Sequence, residues 1–63
     1  MFEYTVHFQK GKRVGARSFR MVHVHAAGVG EAVQFARQEF NEPGYRITRV
    51  DHFDENGRIV IDR

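Results

Sequence analysis

Three histidines, His7, His23 and His25, are the side chains of this chain best suited to chemistry. Imidazoles ligate zinc and copper, and they take up or release protons near neutral pH. His23 and His25 stand two apart, so on an extended strand both point the same way, and His7 would reach the same face from a neighbouring strand. A flat, open strand surface seldom encloses a metal, and no carboxylate has an evident role in orienting these rings. The expectation is a half-exposed histidine face with no bound metal. A pH-sensitive interface suits such a face better than a metal centre does.

Lys10, Lys12, Arg13, Arg17 and Arg20 form the second candidate. No acid lies between Glu3 and Glu31, whereas from Glu31 onward seven acids face five arginines. A net charge of only +2 therefore hides a basic segment on a slightly acidic body. Such a segment can grip nucleic-acid phosphates, with an affinity that fades steeply as salt rises, or it can keep a loop and a sheet edge solvated. The first strand's aromatics face inward, so base stacking in the manner of RNA-recognition sheets is not expected.

Other chemistries fail on spacing. Gly11 and Gly15 are too close for a G-x-x-x-x-G-K-[ST] phosphate loop, and no Lys-Ser/Thr pair follows. Gly28 and Gly30 open a helix after a strand, but Val33 stands where a dinucleotide fingerprint needs its third glycine. Setting Gly57 at the sixth position of a calcium loop puts His52 at the first and Arg63 at the twelfth, where carboxylates are required. Asp51 and His52 are adjacent on a strand and point to opposite faces, so they cannot address one substrate together. Ser18, the one serine, has no nucleophile context. The chain is expected to be no enzyme and to need no cofactor.

The elements that position these residues follow from pattern. Phe2, Tyr4, Val6 and Phe8 alternate with Glu3, Thr5, His7 and Gln9, a half-buried strand with its aromatics inward. A second strand spans about Ser18 to Ala26, with Val22, Val24 and Ala26 on one face and Met21, His23 and His25 on the other. Strict alternation puts Phe19 on the histidine face, and a bulge near Arg20 or Met21 is expected to return it to the core. Val29, Ala32, Val33, Ala36 and Phe40 make the apolar stripe of one helix, capped by Gly28 and stopped by Pro43 and Gly44. Glu31 sits in its first turn, where a carboxylate complements the helix N-terminus. Phe35 lies off the stripe, either widening the apolar face toward a sheet edge or anchoring a partner. Strands over about Tyr45 to Phe53 and Arg58 to Ile61 flank Asn56-Gly57, a hairpin turn.

The fold expected is α+β, a two-layer ββαββ domain. Its antiparallel four-stranded sheet has the order 2-1-3-4, with the helix packed on one face. Its 63 residues form a single domain, 1–63, and a chain this short buries only about 60% of its unfolded surface. Without cysteine there is no disulfide or thiolate support; the acidic, apolar-poor start resembles no leader peptide, and no apolar run is long enough to span a membrane. A cytoplasmic setting is expected. The functional expectation is a non-catalytic module that binds a protein partner or forms a homodimer. It would use the uncovered sheet face (His7, Met21, His23, His25) and the basic loop (Lys10, Lys12, Arg13, Arg17, Arg20). Nucleic-acid binding by that basic segment is the alternative.

Overall fold

A computed structural model describes residues 1–11 and 18–63; Lys12, Arg13 and Arg17 of the expected basic loop lie outside the described residues. Four strands and one helix follow one another as β1 (Phe2–Lys10), β2 (Phe19–Ala26), α1 (Val29–Glu39), β3 (Tyr45–Phe53) and β4 (Ile59–Ile61). Every strand pair is antiparallel and the order is β2-β1-β3-β4, as the pattern predicts. The helix covers one face, packing over β2 and β1. No described element covers the other face.

Alternation in β1 and β2 buries Tyr4, Val6, Phe8, Val22, Val24 and Ala26 beneath the helix, whose Ala32 and Ala36 are fully buried. The small alanines bring the helix close to the sheet, and Val50 of β3 completes the centre. Phe40, just past the helix, closes one end, its ring 5.1 Å from Phe8 and 5.0 Å from Tyr45 in edge-on contacts. At the other end Phe2, Tyr4 and His52 cluster at 5.1–6.2 Å.

The helix begins as expected at Gly28, whose carbonyl accepts the Ala32 N–H at 3.0 Å. The Glu31 carboxylate turns back to accept the N–H of Ala27, the residue before the N-cap, at 3.1 Å. At the β3–β4 turn the Asp54 carboxylate accepts the N–H groups of Asn56 and Arg58, and Gly57 takes a positive φ of 77° that a Cβ would strain.

The bulge expected near Arg20 or Met21 is not there. β2 carries no bulge: its register against β1 runs unbroken from Phe2↔Ala26 to Gln9↔Phe19. Phe19 therefore stays on the histidine face. The bulge lies instead on β3, where His7 pairs with Arg49 and Phe8 with Ile47, leaving Thr48 as the extra residue. That single insertion changes the phase of β3. Val50 faces the helix on one side of it, and Ile47 and Tyr45 do so on the other.

Candidate functional site

The open face is set by register. From β2 come Phe19, Met21, His23 and His25, and from β1 Glu3, Thr5, His7 and Gln9. β3 adds Arg46, Arg49, Asp51 and Phe53, and β4 adds Ile59 and Ile61 opposite Phe53 and Asp51. Met21, His7, His23 and His25 thus share one face, as their alternation predicts.

The centre of this face is polar and internally matched. Asp51 is 6% exposed, and one of its oxygens accepts a hydrogen bond from His7 Nε2 at 2.9 Å. Arg49 Nε approaches the same oxygen to 2.7 Å, an ion pair whose N–H does not align as a hydrogen bond. Thr5 Oγ1 and His23 Nδ1 share a hydrogen bond of 3.0 Å, and His25 Nε2 lies 3.3 Å from a Glu3 oxygen. On the covered face His52 Nδ1 donates to Asp62 at 2.6 Å. All four histidines have a polar partner, three of them a carboxylate. For His7 and His25 this corrects the expectation that no carboxylate stands beside the three rings; His23 has only the Thr5 hydroxyl. Asp51 lies 44 residues from His7, and only the β1–β3 pairing brings the two together.

Polarity gives way to apolar surface at two diagonally opposite corners. Phe19 and Met21 occupy one, and Phe53, Ile59 and Ile61 the other; each of the five is between 55% and 62% exposed. All five stand in water on a face that no described element covers. The second corner escaped sequence reading, although the hairpin register at Asn56-Gly57 sets Ile59 against Phe53 and Ile61 against Asp51.

The two described basic candidates, Lys10 and Arg20, do not join this face. The Lys10 side chain runs over Gly44 on the helix side, its Cε 3.2 Å from where a Cβ on Gly44 would stand. The Arg20 guanidinium sits 5.2 Å from the centre of the Phe40 ring, also on the helix side.

Chemically the face offers donors and apolar contact. Thr5–His23 is a hydroxyl–imidazole pair of the type nucleophiles use, but it is exposed and no described carboxylate orients His23. Among the described residues no three His, Asp or Glu side chains stand together as a metal site, and no helix is long and apolar enough to cross a membrane. No family model, curated protein or solved structure matches the chain.

Proposed function

We propose that the domain is a non-catalytic interaction module that docks a protein partner, another protein or a second copy, on its open sheet face. One observation carries this reading: five large apolar side chains are exposed on that face around a polar band of paired charges and hydrogen bonds. A partner covering the face gains apolar burial at the corners and leaves no broken ion pair at the centre, which is the economical composition of a docking surface. The size fits as well. The longer principal extents, 33 and 23 Å, bound a face on the order of 700 Å², close to the area each partner buries in a standard interface. The basic segment Lys10–Arg20 would steer acidic partners toward the molecule without setting the contact.

The test pairs crosslinking, to identify the bound protein, with an amide chemical-shift titration of that purified partner. The expected result is a set of shifts at Thr5, His7, Asp51 and Ile61, and a Kd raised about tenfold or more by Ile61→Asp or Met21→Asp, both exposed positions. A titration that moves amides elsewhere, or a Kd indifferent to both substitutions, overturns the reading. So does a mixed-sequence oligonucleotide that binds at low salt and loses affinity on joint neutralisation of Lys12 and Arg13, since that assigns the function to nucleic acid.

A further inference from the structure

β2 lies at the edge of the sheet, and its backbone shows which of its groups are unspent. The Lys10 N–H donates to the Ser18 carbonyl at 3.0 Å, which marks Lys10 and Ser18 as a hydrogen-bonded pair. Alternation along the unbroken register then turns the N–H and C=O of Arg20, Val22, Val24 and Ala26 toward β1. Those of Phe19, Met21, His23 and His25 point away from the sheet. Among the described residues this eight-residue edge has no bulge, no proline and no lysine, and its one formal charge, Arg20, turns to the helix side over Phe40, whereas the opposite edge, β4, is three residues long.

Beside the edge runs a groove of about 270 Å³ lined by Arg20, Met21, Val22, His23, Glu39 and Phe40. Glu39 identifies the helix flank that overlooks it. Glu31, Phe35 and Glu39 recur at four-residue spacing and share that flank, so the off-stripe Phe35, 38% exposed, belongs to the helix flank on the side of the β2 edge. An exposed aromatic ring on the flank beside an unpaired strand edge is the second mark of a missing neighbour.

We infer that the neighbour is a second copy of this chain, its β2 paired antiparallel with this β2 about a two-fold axis at His23 to give one continuous eight-stranded sheet. The register keeps odd residues against odd ones, as the free donors and acceptors require. Met21 meets His25 of the second copy and His23 meets its counterpart, which supplies about six hydrogen bonds, two for each such pair. On the helix side Val22 meets Val24 of the second copy, extending the buried valine stripe through the junction. Arg20 falls opposite Ala26 of the second copy, at the end where Glu31 stands, because Glu31 accepts the Ala27 N–H. The acidic flank of one molecule thereby receives the cation of the other. The two Phe35 flanks close over the top. This contact is independent of the open-face reading, and it doubles the width of that face.

The decisive variant removes one outward donor. His23 lacks a β1 bond to lose through its N–H, so N-methylation of the His23 backbone, by chemical synthesis of the chain, spares the fold and blocks the junction; His23→Pro is the genetic equivalent. Sedimentation is expected to show a wild-type dimer at micromolar to millimolar concentration and a monomer for both variants, with unchanged circular dichroism. Phe35→Glu is expected to weaken the dimer about tenfold or more, while Ile61→Asp leaves it intact, separating this contact from the open face. Mixed-label samples are expected to give intermolecular contacts between Val22 and Val24 methyls. A wild-type monomer at millimolar concentration, a dimer untouched by N-methylation, or uptake of an extended peptide from another protein in its place overturns the inference.

Discussion

Asp51 holds His7 at 2.9 Å and Arg49 at 2.7 Å through one oxygen, in the middle of an otherwise flat surface. Its carboxylate is buried while both partners keep partial contact with water, so solvent screens some of the attraction. Asp51→Asn keeps the shape, removes the charge and leaves Arg49 without its counter-ion. The expected cost is about 1–2 kcal/mol, below that of breaking a fully buried pair, read as a lower midpoint in urea unfolding; an unchanged midpoint would mean the cluster contributes nothing. This residue shows where sequence reading stops. His7, His23 and His25 fall on one face because alternation is local, but the partner of each is chosen by strand neighbours far apart in the chain. Thr5 meets His23 across the β1–β2 pairing and Asp51 meets His7 across the β1–β3 pairing. Phe19 illustrates the opposite error. Its apolar character argued for a bulge, and the backbone gave it none.

At the level of elements, order and faces were legible because β1 and β2 keep a period of two and the helix a period near four. The phase change in β3 was legible only in hindsight: Tyr45 and Ile47 are odd, Val50 is even, and one inserted residue, Thr48, reconciles them. Two glycines test the local reasoning. Gly30 lies within α1, and a Cβ there meets nothing within 4 Å, so Gly30→Ala is expected to raise stability by about 0.5–1 kcal/mol through helix propensity and a less flexible unfolded chain. Gly57, at φ 77°, also has open space, yet Gly57→Ala is expected to cost about 1 kcal/mol, because the strain is in the backbone. Thermal unfolding of the two variants should bracket the wild type, one above it and one below. Melting points that move together would show that space rather than φ governs these sites.

For the whole molecule, the largest fully buried side chains are only valines, Val6 and Val50. A domain of this length has a total stability of roughly 3–9 kcal/mol. Val6→Ala, by removing two methyl groups and leaving a cavity, is expected to cost about 2 kcal/mol of it. A chemical-denaturation midpoint within error of wild type would contradict the central place given to Val6. The shape gives these numbers a wider meaning. With a shortest extent of 14 Å between its Cα atoms, the protein is a thin plate, and each buried group lies about one side chain from water. A plate gains its missing thickness from whatever binds it. A ligand present at a hundredfold excess over its Kd adds about 2.7 kcal/mol to the folded state, a sizeable fraction of everything the chain supplies alone. Recognition and folding are then two readings of one quantity, and the melting temperature becomes a gauge of who is bound.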